Sequence, residues 1–252
     1  MKQTMIALAS AVAVVLVPAA SAEARPVKSK TLTQNALYKA GALPITACPE
    51  KPIRKLDPKS ARSYLNGVLT CLNRTWAGEL KKAGLKWSKP KVTYATKPPV
   101  EFCGVKWDDW GVDYCDASRT MEIVLHKDLL AEPDDLFLFF LMSSLYGEHV
   151  QNLAGLTRTV DRLPSASKAE FAEQNRRHLL QNKCLASAFV ASVWQSLHRG
   201  REDWDDMLSY MREWAGKNTG SRKSITYWAG QGFATGDPGA CNTWTAPSAK
   251  VA

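Results

Sequence analysis

The sequence predicts a mainly helical α+β domain, exported and held together by disulfides, and three observations carry that prediction. Long stretches of the second half repeat apolar residues with a period near that of a helix, whereas only 89–100 and 120–126 read as extended runs. Six cysteines, an even number, follow an export-type leader. The composition is that of a folded chain: 252 residues, 45% hydrophobic and 23% charged, which excludes a disordered tail, a collagen-like repeat and a heptad rod.

Residues 1–22 read as the leader. Lys2 supplies the positive start, an apolar run from Met5 to Val17 follows, and Ala20-Ser21-Ala22 offers a cleavage site. The run is too short for a membrane span, which takes about 20 apolar residues. No cysteine follows it as a lipid anchor would require. Residues 23–58 are polar, contain Pro26 and Pro44, and read as a mobile or loosely docked N-terminal arm. Lys59 to Lys82 has helical spacing, with Tyr64, Val68, Cys71, Leu72, Trp76 and Leu80 on one stripe. Lys89 to Val100 is extended and runs into Pro98-Pro99. Phe102 to Asp116 is a Cys-bracketed loop and Thr120 to His126 a short strand, so a small hairpin or sheet is expected.

From Pro133 the pattern is helical. Glu132-Pro133-Asp134-Asp135 reads as a helix start, with Pro in the first turn and acids at the positive end of the dipole. Leu136 to Met142 is apolar on every face, which makes this helix central, and it ends near Gly155. A second long helix starts at Ser167 with Glu170 as its capping-box partner and runs to Gly200. Two more cover Asp203–Ala215 and roughly Ser221–Thr235. Residues 59–246 form one domain and 247–252 a tail.

Charge narrows the partners only a little. The formal net charge is +9, of which one positive charge belongs to the leader. Such a balance suits anionic wall polymer, lipid headgroups or nucleic acid. The basic residues are dispersed, however, and read first as a soluble basic surface. No RNA-binding aromatic motif or helix-turn-helix module is present, so neither nucleic acid nor stable membrane insertion is expected. Trp194, Trp204, Trp214 and Trp228 fall where helices bury them, and Asn73-Arg74-Thr75 has the form of a glycosylation acceptor. In an oxidising destination Cys48, Cys71, Cys103, Cys115, Cys184 and Cys241 read as disulfides, with many pairings open. Cys103 and Cys115 bracket a short loop whose closure is worth about 3 kcal/mol. Zinc coordination by these cysteines lacks C-x-x-C pairs.

Few residues carry chemistry. Histidine occurs only at 126, 149, 178 and 198, and there is no G-x-S-x-G elbow, phosphate-binding Gly-rich loop or dinucleotide fingerprint. Glu148-His149 is an acid–His pair on the central helix, but helix neighbours point about 100° apart and cannot chelate one ion together. His149 reads as an internal histidine bonded to a carbonyl or water, and His178 and His198 as solvated.

Leu145-Tyr146-Gly147-Glu148-His149-Val150-Gln151-Asn152-Leu153-Ala154-Gly155 resembles the zinc-binding helix of the bacterial neutral zinc metallopeptidase family, H-E-x-G-H-H-V-Q-x-x-x-G. Cys103-Gly104 followed by Asp113-Tyr114-Cys115 is similar to its C-G…F-Y-C loop. Leu180-Gln181-Asn182-Lys183-Cys184-Leu185-Ala186 is similar to its E-L-Q-A-D-C-x-A-G helix. Gly232-Phe233 and Gly236-Asp237-Pro238-Gly239-Ala240-Cys241-Asn242-Thr243-Trp244 are similar to its C-terminal G-F…G-D-P-x-A-C-D-T-F. The resemblance covers about residues 100–245 and implies a zincin-like, mostly helical fold with a Cys184–Cys241 bridge. The expected pairing is then Cys48–Cys71, Cys103–Cys115 and Cys184–Cys241.

The departures fall on the metal site. In zincins two His one turn apart bind zinc, and the Glu between them is the general base. Here those three positions are Ser144, Glu148 and, for the base, Leu145. The family's later Glu ligand falls on Leu179 and the Asp before its Cys on Lys183. The His-Gly-Ser/Thr element ahead of the last helix is Thr219-Gly220-Ser221. Zinc wants three protein ligands and an open position for water, so the expectation is a retained scaffold with no catalytic residue and no metal. Glu148, His149, His178 and Lys183 remain as a polar residue set, with Glu148 paired to Lys183 or bonded to Ser144. The expected function is a secreted, non-catalytic relative that binds a peptide, a protein or an anionic wall component. Two alternatives stand beside it: an active metallopeptidase with ligands relocated to Glu148, His149 and His178, and a basic extracellular structural or adhesion protein.

Overall fold

The computed structural model describes residues 27–108 and 111–252, so the expected leader lies outside the described residues. The long first helix α2 (Pro58–Lys82) is started by Asp57, whose carboxylate accepts from the Lys59 and Ser60 N–H groups, with Pro58 at the first helical position. All six residues of the expected stripe are buried. Asn73-Arg74-Thr75 lies inside this helix: Asn73 accepts from the Tyr146 hydroxyl and Thr75 is buried, which removes the glycosylation reading.

Five short strands follow: β1 (Lys91–Ala95), β2 (Glu101–Phe102), β3 (Val105–Lys106), β4 (Val112–Cys115) and β5 (Thr120–Val124). They form a β2–β3 hairpin and a three-stranded sheet of order β1-β5-β4, with β5 parallel to β1 and antiparallel to β4. The Cys-bracketed loop therefore holds two of the strands, β3 and β4, and β2 ends just before it. His126 then caps a short helix α3 (Lys127–Ala131), which the sequence reading did not anticipate.

The central helix α4 (Asp135–Leu153) is capped by the Asp134 carboxylate, which accepts from Phe137 N–H. Pro133 thus stands before the cap and not in the first turn. A short α5 (Leu156–Val160) separates α4 from α6 (Lys168–Val193). Ser167 caps α6 as expected, but the Glu170 carboxylate accepts from Ala166 N–H one residue earlier than a capping box would have it. The helix ends at Val193 and passes into a 3-10 turn, Trp194–Leu197. Two further helices, α7 (Arg201–Glu213) and α8 (Arg222–Thr235), complete the bundle. The backbones of α6 and α8 come so close that a Cβ at Gly232 would stand 2.0 Å from the Cys184 carbonyl oxygen. Trp228 is buried here, while Trp194 and Trp204 are half-buried and pack on Phe233.

The pairing is Cys48–Cys71, Cys103–Cys115 and Cys184–Cys241. Three disulfides are the mark of an oxidising, non-cytoplasmic compartment. No helix among the described residues is long and apolar enough to cross a membrane.

Described residues of the N-terminal arm correct its expected looseness. They include α1 (Lys30–Thr33) and a 3-10 turn, Ala36–Lys39, with Leu32, Leu37 and Leu43 in the core. Asn35 donates to the Ala154 carbonyl, and the Leu43, Thr46 and Cys48 N–H groups reach Gly236 O, Ser192 O and Ser196 Oγ. Three leucines spaced five and six residues apart match neither helix nor strand periodicity, which hid this docking in the sequence. The 247–252 tail is tied down as well: Val251 is fully buried and Trp228 donates to the Lys250 carbonyl.

Candidate functional site

The residues of interest lie where α4 crosses α6 beside the β4 edge of the sheet. Gly147 makes the crossing close: a Cβ there would lie 3.0 Å from Asn182 Nδ2. That amide donates to the Ser144 carbonyl at 2.9 Å, and one turn on Gln151 donates to His178 O at 2.9 Å and to Gln181 Oε1 at 3.0 Å. These bonds bring Ser144 and Glu148 on α4 opposite Leu179 and Lys183 on α6. Leu179 and Lys183 share a face of α6 because four residues advance about one turn.

Leu145, which the sequence resemblance sets at the family's general base, is 3% exposed and belongs to the core. Ser144 keeps its Oγ buried without a hydrogen-bond partner, so the expected Glu148–Ser144 bond is not formed. Glu148 is half-buried. Burial, and then the nearby Asp113 carboxylate, push it up to about 8 against the pull of Lys183. Lys183 is 8% exposed, and burial brings it down to about 8 while Glu148 opposes the shift. The two attract one another, but neither has a hydrogen bond or an ion pair among the described residues. The Lys183 ammonium lies 5.7 Å from the centre of the Trp214 ring, which borders the site at the end of α7.

His149 is fully buried and has both ring nitrogens engaged. Nε2 lies 2.7 Å from the Ser88 carbonyl, to which it must donate, so Nδ1 accepts from the Tyr114 hydroxyl at 2.8 Å. Asn152 donates to the same hydroxyl and to Asp116 O. Burial lowers the His149 pKa and keeps the ring neutral. His149 is thus the internal histidine its sequence position suggested, and it ties α4 to β4. His178 is not the solvated residue expected: it is half-buried against Gln151, and burial brings it down to about 4. Only His198 is exposed as expected.

One contributor escaped the sequence reading. In β4 the ladder pairs Asp113 with Glu122, and Val124 N–H bonds Gly111 O, so the alternation of an antiparallel pair turns the backbone groups of Val112 and Tyr114 away from β5. On that outer side the Asp113 carboxylate accepts from Tyr114 N–H at 2.7 Å. Burial raises the Asp113 pKa. Asp113 is 35 positions from Glu148, and only the fold brings them together.

Zinc does not fit these residues. A hydroxyl, a core leucine, one carboxylate and a second leucine offer a single conventional ligand where three are needed, and an ammonium stands beside it. Glu148, His149 and His178 do not converge either. Among the described residues the only group with metal-ligating atoms within 4.8 Å of one another is Cys103, Cys115 and Asp116, whose two sulfurs are spent in a disulfide.

The family described as "Putative neutral zinc metallopeptidase" is matched over residues 44–212, two-thirds of the chain. Two Escherichia coli proteins, from strain K12 and from an O6:H1 strain, both named "Uncharacterized protein YpfJ", are 26% identical over 220 residues. The similarity covers 77% of this chain and 76% of each relative. No solved structure matches. The matched span takes in α2, the sheet, α4, α6 and most of α7, and stops short of the C-terminal Gly236–Trp244 stretch. With that span and the three family-like stretches inside it, the chain belongs to the neutral zinc metallopeptidase family.

Proposed function

We propose that this is a secreted, non-hydrolytic member of the family that holds an extended peptide along β4. The carrying observation is the juxtaposition at one place of a ligand set unfit for zinc and a strand edge with outward-facing backbone groups. Strand addition uses such an edge through the Val112 N–H and C=O and the Tyr114 C=O, the Tyr114 N–H being taken by the Asp113 carboxylate. With one conventional ligand where zinc needs three, and Leu145 where the resemblance sets the family's general base, these residues are not equipped to activate water.

The test joins metal content with peptide binding. Protein purified without chelators is expected to carry less than about a tenth of an equivalent of zinc and to take up none tightly by calorimetry. It is expected to bind members of an array of N-acetylated, C-amidated octapeptides without cleaving them. Val112→Pro removes one outward N–H without touching the β4–β5 ladder, and should abolish that binding. One tightly held zinc per chain, with chelator-sensitive cleavage, would refute the proposal.

A second reading has its own observation. Arg212, Arg222, Lys223 and Tyr227 line an open groove of about 750 Å³ between α7 and α8, with Glu213 as its acid, and this suits an anionic wall polymer. Retention on such a polymer should then fall steeply with salt, and retention indifferent to salt would reject it.

A further inference from the structure

Helix α2 carries two buried side-chain oxygens that no donor reaches. Thr75 is 2% exposed and its Oγ1 has no hydrogen-bond partner; Glu79 is fully buried and its Oε1 has none either. The two residues stand one turn apart on one face of α2, and helical side chains lean toward the N-terminus, which carries the Glu79 carboxylate toward the Thr75 hydroxyl. Such oxygens are costly to strand away from water. A carboxylate in the last turn also meets the negative end of the helix dipole, where a cation is favoured.

A tethered cation already stands at this place. The Lys82 ammonium is 2.6 Å from Glu79 Oε2, 3.4 Å from the Ala40 carbonyl oxygen and 3.5 Å from that of Ala42. Oxygens from α2 and from the N-terminal arm therefore converge on one point. The ammonium serves them unevenly. Its carbonyl contacts are longer than the usual range of about 2.7–3.2 Å, and Glu79 Oε1 and Thr75 Oγ1 gain no donor from it. Burial holds the Glu79 pKa up even with Lys82 beside it, and the charge on Asp237 adds to the effect. Leu43 N–H bonds Gly236 O at 2.8 Å, which lays the arm against the Asp237 stretch. The Lys82 side chain is half exposed and free to swing into solvent.

One hard cation answers all of these oxygens. Calcium takes about six to eight oxygen ligands, at about 2.3–2.6 Å and in flexible geometry, from carboxylates, carbonyls and water. A set without sulfur or imidazole does not suit zinc. We propose that Thr75, Glu79 and the Ala40 and Ala42 carbonyls form a calcium site, and that Lys82 is the tethered cation calcium displaces. The ion would fasten the N-terminal arm to the end of α2. This site is independent of the strand-addition reading and of the family's metal positions on α4 and α6.

Calorimetric titration of calcium chloride into the whole chain, freed of calcium with EGTA, tests it. One calcium per chain is expected, with a Kd of about 0.1–1 mM as in extracellular modules, and magnesium should bind more weakly because it demands a near-ideal octahedron. Lys82→Met removes the competing ammonium and should tighten calcium binding about fivefold or more. Thr75→Val keeps the shape and removes one ligand oxygen. It should weaken calcium binding about tenfold, while its Tm in EGTA stays level or rises because an unpartnered oxygen has gone; a threonine with a merely structural role would lower that Tm and leave calcium binding alone. Glu79→Gln should abolish binding. No calcium uptake by the wild type up to about 10 mM would overturn the proposal and leave Lys82 as the permanent cation. Calcium bound equally well by Thr75→Val and Glu79→Gln would overturn it too, since the ion would then sit elsewhere.

Discussion

Lowering the pH should destabilise the protein through His178, and replacing that residue should remove this part of its acid sensitivity. An unfolded histidine takes up its proton near pH 6.5, whereas burial against α4 holds His178 at about 4 in the fold. Between those values the unfolded chain binds the proton and the folded one does not, so stability rises with pH across the window and is lost as pH falls from about 6.5 toward 4. At about 1.4 kcal/mol per unit, most of the window is spent by pH 4.5, for a loss of roughly 2 to 3 kcal/mol. The side chain is only half-buried, which makes about 1 to 2 kcal/mol the safer expectation. His178→Asn keeps a polar group facing Gln151 and cannot titrate. Urea unfolding of both proteins at pH 7.5 and 4.5 isolates the residue, because every other titrating group, His149 included, contributes equally to the two. Equal losses within a few tenths of a kcal/mol would mean that His178 protonates freely in the fold, and that its burial at the helix crossing is wrong.

Three other outcomes follow from the packing. Gly232→Ala would place a methyl carbon 2.0 Å from the Cys184 carbonyl oxygen, so urea unfolding should show a loss of about 3 kcal/mol or more, and wild-type stability would refute the α6–α8 approach. Removing Cys184–Cys241 by paired alanines should cost about 4 kcal/mol and removing Cys103–Cys115 about 3, because the loops closed differ in separation, 57 against 12 residues; a reversed order in denaturant midpoints would count against the chain-entropy account. Tyr114→Phe deletes the donor to His149 and the acceptor of Asn152, so it should cost about 1 to 3 kcal/mol in the same assay, and a neutral result would show that water replaces the hydroxyl.

Much of the scaffold could be read from periodicity, and the candidate site from motif position. The stripe of α2, the burial of α4, the Ser167 start of α6 and the small sheet are local properties, since each depends on residues within a few turns. The N-terminal docking was hidden because Leu32, Leu37 and Leu43 enter the core from a single-turn helix, a 3-10 turn and irregular chain, where no period marks a buried face. The site was half legible. Its α4 and α6 residues stand in recognisable stretches, but Asp113 joins Glu148 only through the β4 register. That Ser144 and Glu148 would not bond also lay beyond spacing, which fixes the face of a helix and not the rotamer.

The geometry also supports the proposed reading, in which the chain stays within this family while departing from it at the metal positions. The family-like letters this sequence keeps have packing work to do. Gly147 lets α4 approach Asn182, His149 bridges Tyr114 and the Ser88 carbonyl, Val150 is core, and Gln151 bonds His178 and Gln181 across the crossing. Changing any of these opens a hole or strands a buried polar group, at a cost comparable to a sizeable part of a domain's stability. The positions that differ are bound by no such constraint. Leu145 joins the core outright, Ser144 is small enough to fit, and Leu179 is half-buried beside them. Fold and ligand set can therefore part company within one helix, and family membership alone does not establish hydrolysis by this chain.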